Sequence, residues 1–270
     1  MSEQKHLYLV DGSAYIFRAY HRLPPLTNIH GEPVGAVYGY TTMLWKLADD
    51  LHQADGPTHM AVVLDKSSQS FRNEIYDLYK ANRPEPPEDL RPQFPLTRQA
   101  TRAFNVACIE TPGFEADDII ATLARHAVEA GGSCTIISSD KDLMQLVGNG
   151  VDMLDPMKNK MIGPDEVFEK FGVAPNRVVD VQSLAGDSVD NVPGAPGIGI
   201  KTAALLIQEY GDLETLLARA GEIKQPKRRE ALTENVEKIL ISKQLVSLKT
   251  DTPLEVTLDD LEVRQPVPEV

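Results

Sequence analysis

The chain has only two cysteines, no internal repeat and no long apolar run, and each absence excludes a class of protein. None of its 270 residues lies in a stretch approaching the roughly 18 apolar residues of a membrane-spanning helix. Residues 1–6 lack signal-peptide organisation and lead directly into a strand-like run. We therefore expect a cytoplasmic protein in which Cys108 and Cys134 are small buried side chains.

Basic residues are also in deficit, with 27 Lys and Arg against 40 Asp and Glu, and the net charge is −13. Taken alone, this argues against nucleic-acid binding, because contacts to phosphate need Lys and Arg. The argument weakens if the acids are gathered in one place and bind metal. Bound Mg²⁺ would turn an acidic pocket into one that attracts phosphate.

Acidic residues follow several predicted strands at the point where each strand ends. The predicted strands are 6–10, 60–64, 105–110, 134–139 and 151–155. They alternate with helical patterns, which predicts an α/β fold with a mostly parallel sheet. Because ligands of such sheets bind beyond the carboxyl ends of the strands, we expect Asp11, Asp65, Asp140 and Asp142 to converge.

Three more acids crowd the start of a predicted helix. Glu115, Asp117 and Asp118 follow Gly113 and precede the apolar pattern at 119–124. The helix dipole favours one or two carboxylates in this position, so capping alone is one explanation. Three carboxylates repel one another unless a cation lies among them, and we therefore predict a divalent metal site.

The segment 66–95 mixes basic and aromatic residues and then carries five prolines, which interrupt any long helix. A long irregular insertion in an α/β domain is usually functional or disordered. Charge for a backbone and rings for bases are what a sleeve around a single strand needs. A solvated loop explains the same composition, and the composition leaves both readings open.

From residue 164 the pattern is helical, and it contains a glycine-rich turn at 186–203. A P-loop is disfavoured, because Ile200 separates Gly199 from Lys201 and no strand precedes the turn. A helix–hairpin–helix turn that grips phosphodiester backbone fits better, although an ordinary interhelical turn remains open. The spacing of Asp187 and Asp190 would allow both to reach the metal cluster. The predicted helices are 164–171, 175–184, 201–210, 213–220 and 232–247.

Together these motifs resemble the 5′-nuclease superfamily of flap endonucleases, and most of all the 5′→3′ exonuclease domains of bacterial DNA polymerase I. The resemblance covers nearly the whole chain in family order. It rests on the motifs at 9–13, 64–65, 71–72, 79–83, 113–118, 138–143 and 186–203. It implies a PIN-like core over 1–163 with a helical arch at 66–95, and a helical DNA-binding subdomain over 164–252. The tail 253–270 would lead to polymerase domains of the same chain.

The resemblance also implies residue roles, and they remain expectations. Two Mg²⁺ or Mn²⁺ ions would be held by Asp11, Asp65, Glu115 and Asp117, and by Asp118, Asp140, Asp142, Asp187 and Asp190. The residues expected to act on the phosphate or reacting nucleotide are Lys80, Arg83, Arg72 and Tyr15. The residues expected to hold the duplex are Gly197, Gly199, Lys201 and Thr202.

The implied activity is two-metal hydrolysis of phosphodiester bonds at a 5′ flap, nick or recessed 5′ end of DNA, or at an RNA primer on DNA, in replication and repair. Two alternatives stay open at this point. A non-catalytic DNA-binding module would leave nine positioned acids unexplained, and a PIN-type ribonuclease would not need the helix–hairpin–helix turn.

Overall fold

The computed structural model describes residues 5–50 and 56–264. The predicted helix end at Leu51, the turn at Asp55 and the last residues of the tail lie outside them. Within the described residues the strands β1 to β6 are His6–Asp11, His59–Val63, Ala107–Ile109, Ser133–Ile137, Val151–Asp155 and Lys160–Ile162. The helices α1 to α11 are Gly12–Arg22, Gly35–Asp50, Arg72–Ile75, Gln93–Ala103, Ala116–Glu129, Pro164–Phe171, Val178–Ala185, Ile200–Tyr210, Leu213–Ala218, Pro226–Thr233 and Val236–Val246. None of the described helices has the length and apolar character needed to cross a membrane.

The strands form one sheet in the order β3-β2-β1-β4-β5-β6. All neighbouring pairs are parallel except β5 with β6, which confirms the predicted mostly parallel sheet. From β1 the chain adds β2 and then β3 on one side of the sheet. It then crosses back and adds β4, β5 and β6 on the other side of β1. The crevice between β1 and β4 is therefore the switch point, where sheets of this kind bind ligands.

Both faces of the sheet are covered at its centre, which is why β1, β2 and β4 are largely buried on both sides. Successive side chains of a strand point to opposite faces. Leu9 packs with Ile120 of α5 in one core cluster, whereas the next residue, Val10, packs with Ile16 of α1 and Tyr40 of α2 in another. The layers fix β1 between α5 and the α1–α2 pair, so Asp11 at its end is rigidly placed.

Helices α6 to α11 form a second, helical layer that shares the α5-side core. The structure differs from the predicted secondary structure in three places. The predicted helix 232–247 is interrupted between α10 and α11, β6 was not predicted, and α4 was not predicted because prolines surround it. Pro95 lies in the first turn of α4, where its missing N–H needs no partner.

The backbone at the two ends of the loop 187–192 comes into close contact, and this loop carries two of the predicted acids. Gly186 and Gly194 both have positive φ, at +67° and +59°. A Cβ on Gly194 would lie 2.5 Å from the backbone nitrogen of Gly186, so only glycine fits. The two glycines therefore fix the ends of the loop against each other.

We expect Gly194→Ala to lower the free energy of unfolding by roughly 2 kcal/mol or more, because it adds a clash to a left-handed backbone. Urea unfolding measures the change. Gly221→Ala is the matched control, since nothing lies within 4 Å of a Cβ there. Equal stability of the two variants would contradict this close contact.

Candidate active site

Acids from five separated segments converge on one pocket of about 200 Å³ at the carboxyl edge of the sheet. The structure brings together eight of the nine predicted acids there: Asp11, Asp65, Glu115, Asp117, Asp140, Asp142, Asp187 and Asp190. Lys80 and Arg83 line the same pocket. The parallel sheet explains the convergence of the strand-end acids, while α5 and the loop after α7 bring the others.

Local hydrogen bonds hold the acids at the ends of β1 and β2. Asp11 Oδ1 accepts from the N–H of Ala14 at 3.0 Å, and its Oδ2 accepts from Ser138 Oγ at 2.8 Å. Asp65 Oδ2 accepts from Ser13 Oγ at 2.7 Å, and its Oδ1 accepts from the N–H of Ala116 at 2.9 Å. The last bond pins the start of α5 to the end of β2.

The acids after β4 are linked to the helical layer. The N–H of Asp142 donates to Asp140 Oδ1 at 2.9 Å, which orders the turn between them. Gln182 of α7 donates its side-chain N–H to Asp142 Oδ1. Lys141, between the two acids in sequence, forms an ion pair with Asp187. Contacts across the two layers thus fix the distance between these acids.

The base of the arch segment (66–95) docks on the loop 187–192. The N–H of Lys80 donates to the Asp190 carbonyl oxygen at 2.9 Å, and Asn191 Nδ2 donates to the Leu78 carbonyl oxygen at 2.7 Å. Lys80 has a φ of +56°, which is uncommon outside glycine. The docking therefore holds a strained residue whose side chain enters the pocket.

Basic side chains compensate the acids individually. Lys80 Nζ lies 2.9 Å from Glu115 Oε2 and 3.8 Å from Asp190 Oδ2, and Arg83 also pairs with Asp190. Burial by itself would raise the pKa of Glu115, but the charges of Lys80 and Arg72 hold it below the ordinary value. Glu115 is consequently a carboxylate at neutral pH.

Other acids carry raised pKa values. Burial raises the pKa of Asp11 to about 6, and burial together with Asp140 raises that of Asp142 to about 6. The pKa of Asp117 lies well above its ordinary value, mainly through burial and then through Asp140 and Asp11. Its carboxylate forms no hydrogen bond or salt bridge with the described residues. A bound cation would stabilise the ionised forms of these three groups most.

The donor chemistry fits a hard divalent ion, since oxygen is the donor of all eight acids and neither sulfur nor imidazole lines the pocket. Among residues 5–50 and 56–264, no three acidic, His or Cys side chains stand close enough together to enclose an ion as they are. Several are paired with basic groups instead. Side-chain rearrangement would therefore accompany ion binding.

Asp118, which was also expected to be a ligand, lies outside this set of pocket acids. It is fully buried, and Arg72 Nη1 and Nη2 donate to its two oxygens at 2.7 and 2.8 Å. Arg72 borders the pocket but is only 1% exposed. Its guanidinium is occupied by this pair, which leaves it less free to reach a phosphate.

Tyr15 was also expected to act at the reacting nucleotide, but the structure places it elsewhere. It is buried in the core between α1, α2 and the sheet and does not line the pocket. Phe17 lines the pocket instead and is partly exposed, with its ring 6.2 Å from that of Phe94. Helical periodicity separates the two faces of α1, and it could have found Phe17.

Further supporting residues were missed by sequence reasoning. They are Ser13, Tyr79, Ser138, Lys141 and Gln182. The first four lie inside the quoted motifs, which was the available signal. Gln182 lies on the buried face of α7 and carries no such signal.

The glycine-rich turn lies outside the pocket and presents open backbone. Gly197 has a φ of +73°, and Gly199 caps the start of α8. Nothing lies within 4 Å of a Cβ built on either glycine, so internal packing does not require Gly199. Lys201 is exposed in the first turn of α8, and Thr202 beside it is half-buried. These features leave room for an external group to approach the N–H groups of α8.

Residues 6–172 match a family model described as "5′-3′ exonuclease, N-terminal resolvase-like domain", and residues 173–269 match "5′-3′ exonuclease, C-terminal SAM fold". The chain is 59% identical over 265 residues to DNA polymerase I of Rhizobium leguminosarum, covering 97% of this chain and 26% of the relative. It is 37% identical over 262 residues to a 5′-3′ exonuclease of Aquifex aeolicus, covering 97% and 88%. The chain thus spans about a quarter of the polymerase relative and most of the exonuclease.

Solved structures show the same fold. T5 5′-exonuclease with bound divalent zinc ions has a TM-score of 0.77 at 22% identity, over 91% of this chain and 90% of that chain. The catalytic core of Rad2 in complex with DNA substrate has a TM-score of 0.57 at 15% identity, over 96% and 84%. At these identities the likeness concerns the fold alone.

We expect Asp11→Asn to stabilise the metal-free chain increasingly as the pH rises through about 6. The folded-state pKa is raised above the ordinary value of 3.8, so the stabilising proton on Asp11 is present at low pH and lost as the pH rises. The raised pKa corresponds to a difference in the free energy of unfolding between Asp11→Asn and the unmodified chain on the order of 1–3 kcal/mol above pH 6.

Calorimetric unfolding in chelator, from pH 4 to 8, measures this difference. Glu169→Gln, at an exposed position of α6, is the control. A difference between Asp11→Asn and the unmodified chain that stays constant with pH would contradict the raised pKa.

Proposed function

Because the chain belongs to the 5′-3′ exonuclease family, we propose that it hydrolyses phosphodiester bonds at 5′ ends of DNA. The substrates we propose are a 5′ flap, a nick, a recessed 5′ end, and an RNA primer on DNA. The observation that carries the proposal is the convergence of eight acids with Lys80 and Arg83 in one pocket. A helix N-terminus with open glycine backbone lies outside that pocket in the same chain.

The eight acids would hold Mg²⁺ or Mn²⁺, the ions that oxygen-only donor sets favour. When bound, these ions would activate water and stabilise the leaving oxygen of the phosphate. Glu115 and Asp190 are the acids that basic side chains now neutralise. Asp117 is held at the start of α5 without such a partner among the described residues.

Lys80 and Arg83 would stabilise charge on the phosphate during hydrolysis. Their side chains lie in the pocket, and Arg83 is about half exposed. Cations that face developing negative charge in a partly buried site act more strongly than they do in water. The docking of residues 78–83 on the loop 187–192 positions both side chains relative to the acids.

We expect Asp140→Asn to reduce cleavage of 5′-labelled flap DNA at least about 100-fold while binding remains measurable. Asp140 is exposed at the pocket, so the substitution removes a ligand charge without disturbing the core. The assay compares reactions with and without Mg²⁺, and Glu169→Gln is the matched control. Full activity of Asp140→Asn, or cleavage that needs no divalent ion, would refute the proposal. Preferential cleavage of unpaired RNA would favour a ribonuclease.

We expect Gly199→Ala to weaken duplex binding roughly tenfold with only a small loss of thermal stability, because the new methyl group enters the space where phosphate would approach α8. Fluorescence anisotropy with a nicked duplex at fixed salt measures the affinity. Gly221→Ala controls for the general effect of losing a glycine. Unchanged affinity would show that the turn is only an interhelical connection.

A further inference from the structure

Arg72 and Asp118 form a bidentate ion pair at the junction of three chain segments. Both side chains are buried, and two parallel N–H···O bonds join them at 2.7 and 2.8 Å. Charge-assisted bonds in this fork geometry are among the strongest side-chain contacts in proteins. The pair fixes direction as well as distance.

Arg72 also holds the end of α11 in the helical layer. Its Nε donates to the Leu245 carbonyl oxygen at 2.7 Å, and its Nη2 donates to the Ser247 carbonyl oxygen at 3.1 Å. These carbonyls belong to the last turn of the helix and the residue after it, where helical partners are missing. One side chain of the arch segment thus ties down the C-terminal end of α11.

Asp118 holds the start of α5 from the other side. Its Oδ2 accepts from the N–H of Glu115 at 3.1 Å, and its Oδ1 accepts from the N–H of Lys249 at 2.9 Å. With two further bonds from Arg72, its carboxylate is fully used. The helix start that carries Glu115 and Asp117 therefore cannot shift without breaking this network.

Arg72 also reaches the pocket electrostatically. Its Nη1 lies 3.5 Å from Glu115 Oε2, on the same carboxylate that Lys80 contacts. Stability alone does not explain such a buried pair, since apolar residues of similar volume often stabilise a protein as well. A requirement for a fixed geometry at the adjacent acids does explain it.

We propose that Arg72 and Asp118 are a positioning pair that locks the helical layer to the start of α5 and so fixes the backbone from which Glu115 and Asp117 would reach a metal ion. Neither side chain touches the ion or the substrate. This inference rests on the proposed function for the identity of the ion, but its test does not rely on cleavage.

Calorimetric titration of the metal-free chain with Mn²⁺ tests the proposal without DNA. We expect Asp118→Asn to bind the same number of ions as the unmodified chain, with affinity lowered about 10- to 100-fold, as for other groups that orient ligands. Asp140→Asn, the matched variant of a pocket acid, should bind fewer ions. Cleavage by Asp118→Asn should recover toward the unmodified rate as Mn²⁺ rises.

Two outcomes would overturn the proposal. Loss of one ion in Asp118→Asn would make Asp118 a ligand, and unchanged affinity with lowered melting temperature would make the pair purely structural. Mn²⁺ binding by an unmodified chain that cuts no DNA would refute the proposed function while leaving this test intact.

Arg72→Lys provides the second variant if Asp118→Asn does not fold. Lysine keeps the charge beside Asp118 but cannot form the fork or reach both α11 carbonyls. We expect unchanged ion number and an affinity loss of up to about tenfold, with circular dichroism confirming the fold. An affinity equal to that of the unmodified chain would overturn the proposal here too.

Discussion

The mutual repulsion of eight carboxylates in one pocket is the constraint that the surrounding structure satisfies. Folding would separate these groups if they were free to move, because like charges within a few ångströms oppose each other strongly in a partly buried site. Backbone N–H groups and serine hydroxyls hold Asp11 and Asp65 in place. Burial, and after it the charge of Asp140, raises the pKa values of Asp117 and Asp142.

The cations that compensate the pocket come from outside the sheet. Lys80 and Arg83 belong to the arch segment, and Lys141 lies beside the acids after β4. In the proposed reaction, ions would take over the neutralisation of Glu115 and Asp190. Lys80 and Arg83 would then be released toward phosphate. The same two side chains thus serve the folded chain without substrate and the proposed chemistry with it.

Sequence alone predicts the sheet and most of the pocket, for a local physical reason. An apolar run followed by an acid predicts both the strand and the position of the acidic side chain at its carboxyl end, as at Asp11 and Asp65. Asp118 shows the limit, because its spacing suits a ligand and a helix cap equally, and only the position of Arg72, 46 residues away, decides between them. The same holds for Gln182, whose partner lies in another layer.

The net charge of −13 does not oppose phosphate binding, because the charge is unevenly distributed. Eight acids are concentrated at the sheet edge, where ions would neutralise them. The turn at Gly197 and Gly199 instead offers backbone N–H groups and Lys201, which in the proposed function would attract phosphate without many basic side chains. Phosphate binding through helix dipoles and bound ions depends on where the charges lie and not on the net charge of the chain. The buried pair of Arg72 and Asp118 contributes by keeping α5 and the helical layer in fixed register.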